Sequence, residues 1–313
     1  MKQQLRKFIN FVRLHTPDKI RWYVGPYISY LAYLFRIYIL GNKDAPKVLS
    51  LRETIKFISQ NNLSIIRFGD GEMSAINHSD LGFQKANQTL SLRLKEIIQV
   101  NQKGLLICVP GMFSKLDDFA GIPFWFALHH QFRYRHQWLE LLSSQQIYGD
   151  TLITRPYLAY KQSLRETSGE IFQALFKLWE SKNVVLVEGA KSRMGVGNDM
   201  FEKTSSLKRI LCPAENAFEK YEQILQTVKA HTNKNDLILV SLGPTAKVLA
   251  YDLFLLGYRV LDIGHLDMEY EMFLRKELVE TKVRYKYFNE IHERNPEDCL
   301  DPVYLKQIIA NIQ

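Results

Sequence analysis

The chain has few cysteines, and none of them forms a motif. Cys108, Cys212 and Cys299 are the only cysteines among 313 residues, and no C-x-x-C pair occurs. This scarcity excludes a disulfide framework and a cysteine-based zinc ribbon. Isolated cysteines are typical of proteins kept in a reducing compartment, so we expect a cytoplasmic protein.

The sequence also lacks the standard glycine-rich nucleotide-binding patterns. No G-x-x-x-x-G-K-[ST] run occurs, and Gly195-Val196-Gly197 lacks the third glycine of a dinucleotide-binding fingerprint. These absences disfavour a P-loop NTPase and an NAD-dependent enzyme. No internal repeat or low-complexity linker is present. The composition is ordinary, with 46% hydrophobic and 24% charged residues, which excludes a disordered or fibrous chain.

Acidic residues are scarce at the N-terminus. Residues 1–47 hold nine basic and two acidic side chains, and therefore carry seven of the eight net positive charges. The rest of the chain is nearly neutral. A DNA-binding protein usually carries its basic surface on the folded body, so this distribution predicts no nucleic-acid partner.

The same N-terminal segment is rich in aromatic side chains. Its longest apolar stretch runs from Trp22 to Leu40, but Gly25-Pro26 interrupts it and Arg36 adds a charge. No small-x-small cleavage site follows, so we expect no signal peptide. Cationic residues beside tyrosine and tryptophan suit the headgroups of an anionic membrane. We favour peripheral association with the inner membrane face over packing on the domain or on a second subunit, and over a true span.

Helical and strand patterns alternate beyond residue 48. Ser50 and Glu53 form a capping box that opens a helix, and strand-like runs end near residues 68, 109, 187, 212, 241 and 263. This β–α order predicts an α/β fold, with a Rossmann-like, mainly parallel sheet covered by helices on both faces. We divide the chain into a basic, aromatic, helical segment, 1–47, and one domain, 48–313. Ligands of such folds bind beyond the carboxyl ends of the strands.

The first candidate site at a strand end is the run RFGDGE at residues 67–72. Asp70 and Glu72 could both bind one divalent cation, and the flanking glycines let the backbone approach a phosphate. Such a cation would neutralise a departing diphosphate. The alternative is a β-turn followed by a helix whose N-terminus favours Glu72.

The second candidate is the glycine-rich run EGAKSRMGVGND at residues 188–199. Its backbone N–H groups, together with Ser192 and the guanidinium of Arg193, could hold phosphate oxygens. The alternative is a solvated connecting loop.

The third candidate, SLGPT at residues 241–245, combines a strand end, a turn and a helix start. Pro244 suits a first helical turn, and Thr245 could offer its hydroxyl near free N–H groups. Many ordinary β–α turns have the same appearance.

The fourth candidate, DIGHLDME at residues 262–269, follows the last clear strand. His265 is a candidate metal or phosphate ligand, although a lone histidine at a strand end is often only a structural hydrogen-bonding group. Asp267 and Glu269 are candidate general bases.

A further run, residues 124–138, is aromatic and basic. Its aromatic faces could stack on a sugar, and its arginines could hold an acidic group. The helical spacing instead favours ordinary core packing for much of it, with Arg133 and Arg135 reaching outward.

Together and in this order, the strand-end motifs resemble the GT-D-type glycosyltransferases, a bacterial family first described as a domain of unknown function. The matching runs are RFGDGE at 67–72, EGxxSRxGVGND at 188–199, CPAENAF at 212–218, LGPTA at 242–246 and DIGHLDxEYE at 262–271. They extend over residues 50–290, and residues 1–47 lie outside them.

The resemblance implies a Rossmann-like domain that binds a UDP-sugar through a D-x-E motif and a divalent metal, Mn²⁺ or Mg²⁺. Asp70 and Glu72 occupy the motif positions, and we add His265 as a third candidate ligand. Such a hexosyltransferase would move glucose or a related hexose to a protein- or lipid-linked glycan, in cell-surface glycoprotein or polysaccharide biosynthesis.

The expected roles of the other residues follow from this scheme. An acceptor hydroxyl deprotonated by Asp267 or Glu269 would attack the anomeric carbon and invert it in one step. The residues expected to contact the donor are Arg67, Gly69, Ser192, Arg193, Asn198, Asp199, Gly243, Pro244 and Thr245.

Two alternatives from other classes stay open at this point. One is a metal-dependent phosphate-ester hydrolase or phosphotransferase that uses the same D-x-E pair. The other is a non-catalytic, membrane-associated interaction protein. Assembly into a homo-oligomer also stays open.

Overall fold

The computed structural model describes residues 27–28, 30–35, 45–113 and 116–312. Predictions for residues 1–26 and 36–44, including most of the Trp22–Leu40 stretch, lie outside the described residues. Within the described part, no helix combines the length and apolar character needed to cross a bilayer.

Among the residues that the structure describes, nine parallel strands form a single sheet. In chain order they are β1 Lys47–Val48, β2 Ser64–Arg67, β3 Leu105–Val109, β4 Ile147–Asp150, β5 Asn183–Gly189, β6 Ser206–Cys212, β7 Leu237–Ser241, β8 Arg259–Asp262 and β9 Ile308–Asn311. Across the sheet their order is β1-β4-β3-β2-β8-β7-β5-β6-β9, and every pairing is parallel. The predicted parallel α/β sheet is therefore confirmed.

Helices connect the strands, as a parallel sheet requires. They are α1 Leu51–Asn61, α2 Asp70–Ile76, α3 Gln88–Ile97, α4 Gly121–Leu141, α5 Gln162–Arg165, α6 Ser168–Phe176, α7 Tyr221–His231, α8 Thr245–Leu255, α9 Leu266–Arg275 and α10 Pro302–Gln307. Single 3₁₀ turns lie at Thr151–Thr154, Ala217–Lys220 and Asn289–Ile291.

Each face of the sheet carries its own apolar layer, because successive side chains of a strand point to opposite faces. Along β5, Val185 and Val187 join the layer that holds α3, α7 and α8, whereas Val184 and Leu186 join the layer that holds α1, α6 and α9. Helices therefore cover both faces, as the sequence pattern predicts.

The capping box at the start of α1 has the predicted geometry. The backbone N–H of Ser50 donates to Glu53 Oε2 at 2.9 Å, and the Glu53 N–H donates to Ser50 Oγ at 3.4 Å. This reciprocal pair satisfies two N–H groups at the helix start.

The sequence pattern missed three strands, β1, β4 and β9, and helix α10. Strand β4 is short and holds Gly149, which a strand pattern disfavours. The glycine is required by packing, since a Cβ there would lie 2.6 Å from Cys108 Sγ and 2.8 Å from Thr54 Cγ2. Strand β1 begins at Lys47, the last residue of the segment that we separated from the domain.

Candidate functional site

A cavity of about 800 Å³ opens at the carboxyl ends of the strands. The turns after four strands line it. Its walls include Asp70 after β2, Ser192 after β5, Gly243 after β7 and His265 after β8. The four strand-end motifs thus meet at one place, where ligands bind in folds of this kind.

Helix α2 presents the two acidic residues of the first motif differently. The Glu72 side chain folds back, and its Oε2 accepts the Gly69 N–H at 2.8 Å. Asp70 is exposed in the cavity, and within the described residues its carboxylate has no hydrogen-bond or ion-pair partner. Asp70 is therefore the member of the pair that is free to meet a ligand.

A buried lysine, Lys247 on α8, lies between two carboxylates beneath the cavity. Its Nζ is 3.0 Å from Glu72 Oε1 and 3.1 Å from Asp262 Oδ2, and it donates to the Gly243 carbonyl at 3.2 Å. Sequence reasoning missed this residue. The available signal was a cation in the first turn of an apolar helix, where the helix dipole disfavours positive charge.

Arg67 is held against the same aspartate, Asp262. Its Nε donates to the Asp262 carbonyl at 2.9 Å, its Nη2 to Asp262 Oδ1 at 3.2 Å, and its Nη1 to the Thr151 carbonyl at 3.2 Å. Burial alone would raise the pKa of Asp262, but Arg67 and Lys247 together hold it below its usual value. Arg67 lines the cavity as a fixed positive charge.

The turn after β8 accommodates Arg67 only because it contains glycine. Gly264 has φ +42°, and a Cβ there would lie 1.8 Å from Arg67 Nη2. Any larger residue would displace the guanidinium from the cavity wall.

Arg155 lies among three acidic residues at the cavity wall. Its guanidinium is 3.5 Å from Glu269, 3.1 Å from Glu280 and 3.7 Å from Glu290. All four side chains line the cavity. Sequence reasoning identified Glu269 alone of this group, because the other three lie in segments with no strand-end motif.

Glu269 is almost fully buried at the start of α9. Its Oε2 accepts the N–H groups of Tyr157 and Leu158 at 3.2 and 3.1 Å, and its Oε1 is 3.5 Å from Arg155 Nε. Burial raises the pKa of Glu269 against the opposing effect of Arg155. The two N–H groups orient the carboxylate through Oε2, whereas Oε1 has only the 3.5 Å contact with Arg155.

Asp267, the other predicted base, is fully occupied. Lys286 Nζ lies 2.9 Å from its Oδ1 and 2.8 Å from its Oδ2, and Oδ1 also accepts Gly195 N–H and Asn198 Nδ2 at 2.8 Å each. Lys286 is 1% exposed. This network holds the glycine-rich loop against α9, so Asp267 has a structural role.

The glycine-rich loop contributes Gly189 and Ser192 to the cavity wall, but not every residue predicted to contact the donor. Arg193, with φ +48°, donates from Nη1 to the Tyr285 carbonyl at 2.7 Å and lies 3.2 Å from Asp298. Asp199 accepts from the Tyr270 hydroxyl at 2.6 Å. Arg193, Asn198 and Asp199 lie outside the cavity lining.

The end of β7 and the turn after it line the cavity with Ser241, Leu242 and Gly243, but Pro244 and Thr245 lie outside the lining. Gly243 has φ +52°, and a Cβ there would lie 2.5 Å from the Phe83 ring, a second lining residue that the sequence did not reveal. Thr245 is fully buried, with Oγ1 3.5 Å from Gln84 Oε1. Pro244 serves as the cap of α8.

The three predicted metal ligands, Asp70, Glu72 and His265, do not form a complete ligand set in the described part of the chain. Among the described residues, no group of three or more His, Cys, Asp or Glu side chains is placed to hold one metal ion. Glu72 contacts Lys247, and His265 Nε2 is 3.4 Å from Glu290 Oε1. Glu290 acts to raise the pKa of His265, but partial desolvation and the nearby cations Arg155, Arg67 and Lys247 outweigh it and lower that pKa.

Comparison with known proteins agrees with the geometry. The model of the glycosyltransferase GT-D fold matches residues 65–291. The chain belongs to this family of glycosyltransferases. The resemblance carried by the strand-end motifs is thereby confirmed.

Two curated relatives carry the same activity in their names. A probable glycosyl transferase, Gly, of Streptococcus gordonii is 39% identical over 269 residues, covering 85% of this chain and 39% of the relative. The glycosyltransferase GlyD of Streptococcus pneumoniae serotype 4 is 36% identical over 275 residues, covering 86% of this chain and 33% of the relative. The chain thus spans between 33% and 39% of the length of these two relatives.

Solved structures match over nearly their whole length. A structure described as domain of unknown function 1792 with a distinct glycosyltransferase fold has a TM-score of 0.81 and 37% identity, covering 87% of this chain and 97% of that one. A glycosyltransferase of the same domain type from Streptococcus sanguinis has a TM-score of 0.80 and 36% identity, covering 86% and 100%.

Proposed function

We propose that this chain transfers a hexose, glucose or a related sugar, from a UDP-sugar to a glycan acceptor. The observation that carries the proposal is the free carboxylate of Asp70 in a cavity whose wall also holds Arg67, Lys247 and Arg155. A nucleotide diphosphate needs positive charge around its phosphates. Because Arg67, Lys247 and Arg155 are each already paired with carboxylates, a divalent cation at Asp70 would supply that charge. A volume of about 800 Å³ lies within the usual range of small-molecule sites.

The residues fit a divalent cation that arrives with the donor better than one held by the protein alone. Mg²⁺ and similar ions are commonly bound by one or two carboxylates plus substrate phosphates. Asp70 would hold the ion, and Glu72 would join it on release from Lys247. When bound, Mn²⁺ or Mg²⁺ would neutralise charge on the departing diphosphate.

Glu269 is the better candidate base of the two acidic residues on α9. Its raised pKa suits a group that must take a proton near neutral pH, and its orientation by two backbone N–H groups fixes Oε1 toward Arg155. The acceptor hydroxyl would lose its proton to Oε1 and attack the anomeric carbon in one step. Asp267 would act as a positioning residue for the glycine-rich loop.

The finer features of the reaction are part of the same proposal. The acceptor would be a protein- or lipid-linked glycan of a cell-surface glycoprotein or polysaccharide, and the enzyme would work in the cytoplasm. The printed names of the relatives support sugar transfer and leave the sugar and the acceptor to experiment.

Calorimetric titration of UDP tests the donor site. We expect UDP to bind the full chain more tightly with Mn²⁺ than without it, and Asp70→Asn to remove that difference. Asp80→Asn, another acidic residue of the cavity lining, is the matched control and should keep it.

The outcomes separate the proposed function from its rivals. Metal-dependent UDP binding that Asp70→Asn abolishes supports the donor site. Failure of folded wild-type chain to bind UDP overturns it. Cleavage of UDP-sugars to UMP and sugar 1-phosphate, at the same rate with and without glycan acceptors, would favour a phosphate-ester hydrolase.

A further inference from the structure

An exposed apolar patch lies beside the mouth of the cavity. It consists of Tyr27, Tyr30, Leu31, Ile122, Trp125 and Phe126, here called the mouth patch. Ile122 at 83%, Tyr27 at 68% and Leu31 at 65% exposure show that the described protein does not cover it. Large exposed apolar patches mark interaction sites more often than isolated apolar residues do. The sequence pattern favoured core packing for much of residues 124–138. Leu128, His130 and Trp138 are indeed buried, whereas Trp125 and Phe126 are exposed, and Arg135, expected to reach outward, is buried.

The mouth patch is continuous and reaches the cavity. The Tyr30 ring centroid lies 6.3 Å from that of Trp125, which joins the helical residues 30–35 to the start of α4. Ile122 and Phe126, one helical turn apart, are exposed and also line the cavity. Whatever covers the patch therefore adjoins the opening through which substrates enter.

The mouth patch rests on an ordered base. Tyr33, at 7% exposure, packs in a small apolar cluster with Leu116 and Leu128, and its hydroxyl accepts the Leu116 N–H at 2.9 Å. This cluster holds residues 30–35 against α4. The patch is therefore a built surface, with one side fixed to the domain.

Charge near the mouth patch is mixed among the described residues. Arg133 is exposed two helical turns beyond Phe126, whereas Asp117 and Asp118 are exposed just before α4. The positive charge comes from the chain that precedes the patch. Residues 1–26, which precede the patch in the chain, contain six basic residues and one acidic residue. Aromatic side chains with flanking cations are typical of surfaces that sit in the headgroup region of an anionic bilayer.

We propose that the mouth patch docks the chain on an anionic lipid bilayer, with the cavity mouth held at the membrane surface. The aromatic and aliphatic side chains enter the interface, and Arg133 contacts anionic headgroups. This inference deepens the proposed function, on which it rests for one consequence: a lipid-linked glycan would meet the cavity without leaving the membrane.

Vesicle co-sedimentation of the full chain tests the docking. We expect binding to vesicles of phosphatidylglycerol and phosphatidylcholine, weakened by salt, and little binding to phosphatidylcholine alone. The variant Leu31→Ser/Ile122→Ser/Trp125→Ser should lower binding at least tenfold. The control Leu300→Ser/Val303→Ser/Leu305→Ser removes three exposed apolar side chains near α10, which adjoins the edge strand β9, and should bind within twofold of wild type.

A second measurement avoids dependence on the triple variant. Brominated lipids should quench the tryptophan fluorescence of a Trp22→Phe chain. Adding the conservative substitution Trp125→Phe should remove most of that quenching, because Trp138 and Trp179 are buried. Unchanged quenching when Trp125→Phe is added, or vesicle binding undiminished in a folded triple variant, would overturn the proposal.

Two further outcomes are decisive. A dimer in sedimentation analysis without vesicles that the triple variant dissociates would make the mouth patch a subunit interface and overturn bilayer docking. UDP titration of the same preparations separates the donor-site proposal from the docking proposal. A wild-type chain that binds vesicles but not UDP would contradict the donor site alone.

Discussion

The ammonium group of Lys247 lies 3.0 Å from the Glu72 carboxylate, in the position where a cation would meet the D-x-E motif. The same Nζ is 3.1 Å from Asp262. One buried lysine therefore neutralises Glu72 from within the protein and fixes the floor of the cavity. Glu72 is a structural partner before it can be a metal ligand, whereas Asp70 carries no such tie.

Replacing the buried lysine should destabilise the chain. Lys247→Met leaves Glu72 without its cation and Asp262 with Arg67 alone, so we expect a loss of about 3–5 kcal/mol in the free energy of unfolding. Urea denaturation measures this loss. Adding Glu72→Gln should recover part of it, because the double variant no longer buries that unpaired charge.

The matched control for Lys247 is an exposed ion pair. Arg284 and Glu297 are 3.2 Å apart and largely solvated, and Arg284→Met should cost less than about 1 kcal/mol. Equal effects of Lys247→Met and Arg284→Met would contradict the role given to Lys247.

Glu269→Gln should slow sugar transfer while preserving donor affinity. The amide keeps an oxygen for the Tyr157 and Leu158 N–H groups but cannot take a proton, so kcat should fall by about 10²- to 10⁴-fold. Burial raises the pKa of Glu269, and the base must be ionised. Wild-type kcat should therefore decline on acidification at a higher pH than an ordinary glutamate would impose.

Steady-state kinetics across pH, combined with UDP titration, check the role of Glu269. Asp267→Asn serves as the comparison, since it should lower thermal stability by disturbing Lys286 and the glycine-rich loop. A Glu269→Gln enzyme with wild-type kcat would exclude Glu269 as the base.

His130 should make stability depend on pH. The Trp138 indole N–H donates to His130 Nε2 at 2.9 Å, which requires that nitrogen to be unprotonated. Burial, aided by His129 and Arg133, lowers the pKa of His130 from 6.5 to about 4. The unfolded chain takes up a proton first, so the stability present above pH 6.5 falls as the pH drops toward 4, by up to ~3 kcal/mol.

Unfolding free energies at pH 7.5 and pH 5 measure the contribution of His130. His130→Gln offers an acceptor oxygen to Trp138 without a titrating group, and its stability should change less between the two pH values. Identical changes in wild type and variant would show that other groups account for the whole effect.

Arg193→Gln should loosen a segment of the chain more than it weakens nucleotide binding. The guanidinium binds the Tyr285 carbonyl and contacts Asp298, so its loss should free residues 285–298. Limited proteolysis should detect faster cleavage there, with UDP affinity within about threefold of wild type. A tenfold loss of UDP affinity without extra cleavage would restore Arg193 as a phosphate ligand.

Local sequence signals predicted where the site residues lie along the chain better than they predicted which side chains contact one another. Turns with glycine after apolar runs marked the ends of β2, β5, β7 and β8, because strand, turn and helix start are encoded within a few residues. Asp70, Ser192 and Gly243 indeed line one cavity.

Contacts between distant segments were beyond the reach of the pattern. Arg155, Glu280 and Glu290 meet at the cavity wall although no local signal marks them. The direction of a side chain was equally hidden: Arg193 and Asp267 lie within predicted motifs, yet their partners are other parts of the protein. Pairing across a sheet depends on the whole topology, which periodicity does not specify.

The pairing of β2 with β8 cannot form until the later strand has been synthesised. Arg67 and Asp262 are 195 residues apart in the chain, and every hydrogen bond between them waits for the later strand. At 5–20 residues per second, a ribosome needs on the order of 10–40 s to deliver it. During that interval the first half of the nascent chain carries an unpaired sheet edge at β2. Because an unpaired edge can pair with other chains, a chaperone would matter most before β8 joins β2.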